Sequence, residues 1–76
     1  MQKQTISYDS PLDALVSITK RLSVFEERYR MSSEDFFNRY SAGEMGDSVD
    51  FLEWSNAYEH YIAIRERIEK RLQHAA

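Results

Sequence analysis

The clearest pattern in the chain is an apolar stripe between residues 11 and 30. Apolar residues recur there at steps of three and four, which places them on one side of a helix. Ser10 and Pro11 form a typical helix start, because serine caps free N–H groups and proline suits the first helical position. We therefore predict a helix over residues 11–30. Its stripe comprises Leu12, Leu15, Ile18, Leu22, Phe25 and Tyr29.

A second, short helix is predicted over residues 33–42. Ser32 and Asp35 stand at capping-box spacing at its start. Gly43 follows its end, where a residue in the left-handed conformation commonly terminates a helix. After a turn, Asp47 or Ser48 is in position to cap a further helix.

The third predicted helix, over residues 48–73, contains neither glycine nor proline. Its apolar residues fall within an arc of roughly 160°. Arg65 and Glu69 lie inside this arc, four residues apart. We expect them to pair with each other or with a partner's charges, since an unpaired charge is costly to bury. The arc comprises Phe51, Trp54, Ala57, Tyr58, Tyr61, Ile62, Ile64, Ile68 and Leu72.

These elements predict an all-α fold, a helical hairpin of two long helices with a short connecting helix. At about 1.5 Å per residue, the third helix is nearly 40 Å long and the first is roughly 30 Å long. Part of the third helix's apolar face then stays uncovered in a monomer, and such a patch usually marks association. We therefore expect a homo-oligomer to complete the fold. Residues 1–9 are expected to be extended or flexible, and residues 5–8 have the alternation of a short strand.

Composition narrows the class of protein. A domain of 76 residues is marginally stable without a staple or a partner chain, and this chain has no cysteine. The lack of cysteine is typical of a reducing compartment. No segment approaches the ~20 apolar residues of a membrane span. We therefore expect a cytoplasmic protein that has no contact with membranes.

Charge is concentrated in the middle of the chain. Residues 31–53 hold one basic and six acidic residues, a net charge of −5. Such a segment repels phosphate backbones and attracts a basic protein, such as an enzyme that acts on nucleic acid. The alternative is a solvated turn with acidic helix starts, which the helix dipole favours in any case.

The residues offer no equipment for catalysis. The chain has no cysteine nucleophile, and its two glycines cannot build a glycine-rich phosphate loop. Its two histidines, His60 and His74, lack the ligand spacings His-x-x-x-His and Glu-x-x-His. We expect no enzymatic activity, no cofactor and no metal.

A contact with a partner is predicted on the third helix. Its aromatic residues are of the types enriched at binding hot spots, although aromatics at helical spacing also commonly form a core. Leu52 lies on the side opposite the main stripe and is a candidate for a second contact patch. The predicted partner-binding residues are Phe51, Trp54, Tyr58, Tyr61, Ile68 and Leu72, with the acidic Glu44, Asp47 and Asp50.

Four motifs stand out in the middle of the chain. They are Met31-Ser32-Ser33-Glu34-Asp35-Phe36-Phe37-Asn38-Arg39-Tyr40, Gly43-Glu44-Met45-Gly46-Asp47, Phe51-Leu52-Glu53-Trp54 and Tyr58-Glu59-His60-Tyr61. With these motifs the chain resembles a family of short, helical cyanobacterial and archaeal proteins, the antitoxin-like partners of toxin–antitoxin pairs, over most of residues 10–72. The resemblance implies a protein that neutralises a toxin, a ribonuclease, by direct binding, and it brings no catalytic residues. The chain differs from many antitoxins in having no evident disordered tail that wraps the toxin.

The leading hypothesis is therefore a non-catalytic antitoxin that binds a cognate toxin. One alternative is a self-assembling helical scaffold or adaptor. Another is a DNA-binding autoregulator with residues 5–8 as a ribbon, although that segment offers little positive charge beyond Lys3. In the first hypothesis, contact with nucleic acid is expected only through a complex with the toxin.

Overall fold

A computed structural model describes residues 10–75, which form three helices. Helix α1 spans Pro11–Tyr29, α2 spans Ser33–Ser41 and α3 spans Val49–Ala75. The described part of the chain contains no strand. The predicted all-α hairpin of two long helices and a short connecting one is confirmed. The strand proposed for residues 5–8 lies outside the described residues.

Each helix is capped at its start by a serine, as the local sequence predicts. The Oγ atom of Ser10 accepts a hydrogen bond from the backbone N–H of Asp13 at 3.3 Å, and that of Ser32 accepts one from Asp35 at 3.0 Å. Ser48, rather than Asp47, caps α3 by accepting from the N–H of Phe51 at 3.2 Å. These bonds satisfy N–H groups that a helix start leaves without an intrahelical partner.

The helix ends differ from the predicted bounds by one or two residues. Helix α1 ends at Tyr29 because Arg30 adopts the left-handed conformation, with a φ of 59°. Helix α2 ends at Ser41, and Gly43 has a φ of 79° in the turn that follows. Helix α3 continues to Ala75, two residues further than predicted.

Helices α1 and α3 run antiparallel. Arg28, near the end of α1, contacts Asp50 at the start of α3, whereas Leu12 and Leu72 line one groove at the other end. Helix α2 packs across the first end, which we call the closed end. The other end, formed by residues 11–16 of α1 and 64–75 of α3, is the open end.

The core lies mainly at the closed end and is rich in aromatic rings. The rings of Phe36 and Trp54 are stacked, with centroids 3.9 Å apart and planes 2° apart. The rings of Phe25 and Tyr29 also stack on Trp54, at 5.5 and 5.6 Å. Because these rings come from all three helices, their burial fixes α2 onto the hairpin. The main buried cluster comprises Ile18, Leu22, Phe25, Phe36, Trp54 and Ala57, and Ile64 is buried further along α3.

Candidate partner-binding surfaces

The single tryptophan of the chain is a core residue. Trp54 is 0% exposed, and its indole Nε1–H donates to the Oγ atom of Ser33 at 2.8 Å. The Ser33 hydroxyl donates in turn to Oε2 of Glu26 at 2.7 Å, and the Ser33 backbone N–H donates to the same oxygen at 3.0 Å. This relay connects α3 to α1 through the first residue of α2.

The prediction that Trp54 anchors a partner is wrong for this fold, because no part of its side chain reaches the surface. Trp54 instead follows the alternative that aromatics at helical spacing form a core. Phe51 also packs mainly inside the chain. The centroid of its ring lies 5.1 Å from that of Tyr29 and 5.4 Å from that of Phe36. Both residues were placed on the correct side of α3, but α2 covers that side.

Asp50 is likewise engaged inside the chain. Its Oδ2 atom accepts from the Tyr29 hydroxyl at 2.6 Å and from Nη1 of Arg28 at 2.8 Å. The hydrogen bond from Tyr29 is the largest cause that lowers the pKa of Asp50, and the bond from Arg28 comes second. The Tyr29–Asp50 bond also raises the pKa of Tyr29. Asp50 therefore ties α3 to the end of α1 rather than offering a charge to a partner.

Tyr58 and Tyr61 border an open cleft of about 350 Å³ between the three helices. Their rings are stacked at 5.8 Å, and the Arg65 guanidinium lies 5.6 Å from the Tyr61 ring centroid. Burial, followed by the nearby charge of Glu34, raises the pKa of Tyr58. Both tyrosines are half-buried, so only part of each side chain is open to the cleft. The cleft is lined by Thr19, Leu22, Ser23, Glu26, Ser32, Ser33, Glu34, Tyr58, Tyr61 and Arg65.

Ile68 and Leu72 lie at the open end, in a mostly apolar groove that they share with Pro11 and Leu12. Leu72 is 67% exposed and Leu12 is 60% exposed. The uncovered apolar face predicted for α3 is thus present, but it is confined to the last turns of the helix. The predicted pairing of Arg65 with Glu69 is present at 3.9 Å on this exposed segment.

Glu44 and Asp47 are exposed in the turn before α3. The first turns of α3 beside them expose two apolar side chains, Val49 at 70% and Leu52 at 53%. Glu53, one turn after Val49, is exposed as well. We call these five residues the acidic surface. Among the described residues, none of its three carboxylates forms a hydrogen bond or an ion pair.

The predicted partner-binding residues therefore do not form one surface. Trp54, Phe51 and Asp50 build the closed end, Tyr58 and Tyr61 border the cleft, and the others divide between the acidic surface and the open end. Sequence reasoning missed Val49 and Leu12 as exposed apolar residues. The exposure of Val49 could have been inferred from its position directly after the Ser48 cap, because the buried stripe of α3 begins only after it.

Within residues 10–75, no group of three or more histidine and carboxylate side chains is placed to hold a metal ion. None of the three described helices is long and apolar enough to cross a membrane. Comparison of the chain with protein-family models, with curated proteins and with solved structures gave no match.

Proposed function

We propose that this chain is a non-catalytic binding protein that neutralises a basic partner toxin, a ribonuclease, through its acidic surface. The resemblance to antitoxin-like proteins supports the class of function. The observation that carries the proposal is the acidic surface itself, in which Val49 and Leu52 are exposed beside three carboxylates that the fold does not use.

The composition of this surface suits a protein partner. A cluster of carboxylates raises the rate of encounter with a basic surface, but exposed ion pairs contribute little affinity each. Affinity comes mainly from apolar side chains that lose their contact with water in the centre of an interface. Val49 and Leu52, three residues apart on one helix face, supply such a centre, and the carboxylates of Glu44, Asp47 and Glu53 form its polar rim.

The negative charge of the acidic surface favours a basic protein over a nucleic acid as its partner. The segment 31–53 that contains it has a net charge of −5. A nucleic acid is repelled by this surface, whereas a ribonuclease must present cations to its substrate. By covering those cations, the acidic surface would block access of RNA to the toxin.

Co-expression with the protein encoded by the adjacent gene tests the proposal. We expect that protein to arrest growth when expressed alone, and the present chain to restore growth and to co-purify with it. Substituting Leu52→Glu or the pair Glu44→Lys and Asp47→Lys should abolish both effects. The matched control is the pair Glu59→Lys and Glu66→Lys, an equal charge reversal at exposed positions of α3 outside the acidic surface. Growth arrest that persists despite co-expression of the unaltered chain would refute the proposal.

A further inference from the structure

The surface between α1 and α3 is covered by α2 only at the closed end. The rings of α2 that contact α3 meet Phe51, Trp54 and Tyr58, all in its first three turns. Beyond them the hairpin has two layers of side chains and no third helix over it. At the open end this leaves the mostly apolar groove of Leu12 and Ile68, with a volume of about 260 Å³.

The groove at the open end and the cleft beside α2 lie on the same side of the hairpin. Thr19, in the cleft, follows Leu12 by seven residues on α1, and Leu72 follows Arg65 of the cleft by seven residues on α3. Residues seven apart share one face of a helix, two turns from each other. We call the two cavities, together with the surface of α1 and α3 between them, the α1–α3 groove.

The two ends of the α1–α3 groove carry opposite charges. Two carboxylates, Glu26 and Glu34, and one cation, Arg65, line it where it meets α2, whereas Arg71 alone is charged at the open end. The last turns of α3, residues 65–75, contain four basic and two acidic residues. An occupant must therefore bring an apolar stripe and a basic end that reaches the carboxylates near α2.

The last turns of α3 have this composition. Ile68 and Leu72 are four residues apart on one face, and Lys70 and Arg71 provide the basic end. The last turns of α3 thus line the groove of their own chain and also match, in apolar surface and charge, the groove of a second copy. A two-fold interface requires a surface that is complementary to itself in this way.

We propose that two copies of this chain associate through their α1–α3 grooves, each laying the last turns of its α3 into the groove of the other. The two α3 segments run antiparallel, because only that direction brings the basic end of each to the carboxylates beside the other's α2. Helices α1 and α3 of both copies then form a four-helix bundle at the open ends. Leu12, Ile68 and Leu72 become its core.

The experiment is sedimentation equilibrium of the full chain over a wide range of concentration. We expect a mass that rises to twice the 9.0 kDa of the chain. Leu72→Glu should raise the dissociation constant at least about tenfold, because it places an unpaired charge in an apolar seam. The matched control Leu52→Glu makes the same change on the same helix, at a residue that is 53% exposed and lies outside the groove. It should leave the dimer intact.

A charge reversal tests the direction of the two helices. Glu34→Lys should weaken the dimer, and adding Arg71→Glu to the same chain should restore it, because each copy then carries both complementary changes. Circular dichroism should show an unchanged helix content for all of these variants, since the altered residues are exposed. A chain that stays monomeric at every concentration would overturn the proposal, and so would equal effects of Leu72→Glu and Leu52→Glu.

The dimer and the proposed binding of a toxin use different surfaces, so their tests are independent. Leu72→Glu should disrupt the dimer and spare the acidic surface, whereas Leu52→Glu should do the reverse. A dimer that is lost in Leu52→Glu and retained in Leu72→Glu would place the contact on the acidic surface and contradict the inference.

Discussion

Replacing Ser33 with alanine removes the centre of the relay that joins the three helices. The Ser33 side chain is buried, accepts from the indole of Trp54 at 2.8 Å and donates to Glu26 at 2.7 Å. Ser33→Ala leaves the buried indole N–H without an acceptor, which costs about 1–3 kcal/mol. The backbone N–H of Ser33 keeps its bond to Glu26, and Glu26 is exposed enough to recover water. We therefore expect a total loss of roughly 2–3 kcal/mol in the free energy of unfolding.

This loss is large for a chain of this size. Seventy-six residues are expected to have a free energy of unfolding of roughly 4–11 kcal/mol, and each kcal/mol shifts the Tm of such a domain by roughly 4–8 °C. Urea unfolding measures this loss, and the fluorescence of Trp54, the single tryptophan, reports it at the relay itself. The control is Ser32→Ala, which removes only the α2 cap and should cost about 1 kcal/mol.

A double-mutant cycle with Trp54→Phe separates the hydrogen bond from other effects of the serine. Phenylalanine has no N–H group, so Ser33→Ala should cost about 1 kcal/mol less in that background. Circular dichroism provides the signal because the fluorophore is gone. If Ser33→Ala changes the free energy of unfolding by less than about 0.5 kcal/mol in the parent chain, the relay is not a source of stability.

Three further predictions concern the links between helices. Asp50→Asn should make the free energy of unfolding less dependent on pH in the acid range. The lowered pKa of Asp50 gives stability that is present above its unfolded pKa of about 3.9 and is lost as pH falls through the folded pKa. Urea titrations at several acid pH values measure this dependence, and equal slopes for variant and parent would contradict the prediction. Arg30→Gly should raise the free energy of unfolding by about 0.5–1 kcal/mol in urea melts, because Arg30 has a φ of 59° that glycine adopts without strain, and an unchanged midpoint would refute this. Gly43→Ala should lower the free energy of unfolding by about 1–2 kcal/mol through the φ of 79° alone, since the added methyl group meets no atom within 4 Å. Gly43→Asn should lower it less in the same urea melts, because asparagine adopts the left-handed conformation more readily than alanine.

The parts of the fold that depend on local chemistry could be predicted from the sequence. Ser10 and Ser32 cap their helices as expected, because a cap needs only the next three residues. The end of α1 was placed one residue late because Arg30 carries no glycine-like signal, although its backbone adopts the left-handed conformation. A left-handed residue at a helix end is usually glycine, so the sequence gives no sign that an arginine takes this role.

The relay through Ser33 could not be predicted, because it depends on how α2 returns to the hairpin. In the sequence, Ser33 reads as one of two serines at a helix start, and Glu26 as an ordinary charge at the edge of a stripe. Only the packing of Phe36 on Trp54 brings the serine within 2.8 Å of the indole. The same packing moves Trp54 from a predicted contact to the core, so one tertiary event explains both the missed network and the wrong assignment.

The resemblance to antitoxin-like proteins rests on residues that the structure divides into two groups. Ser33, Phe36 and Trp54 are buried and hold the closed end together, so their presence in the motif reflects the requirements of the fold. Glu44 and Asp47 are exposed and take part in no hydrogen bond or ion pair of the described chain. The helix dipole favours an acidic residue at the position of Asp47, just before the start of α3, but no contact within the described chain uses either carboxylate. On the proposed function, a shared activity would therefore act through the second group, whereas the proposed dimer would form at the open end, away from those residues.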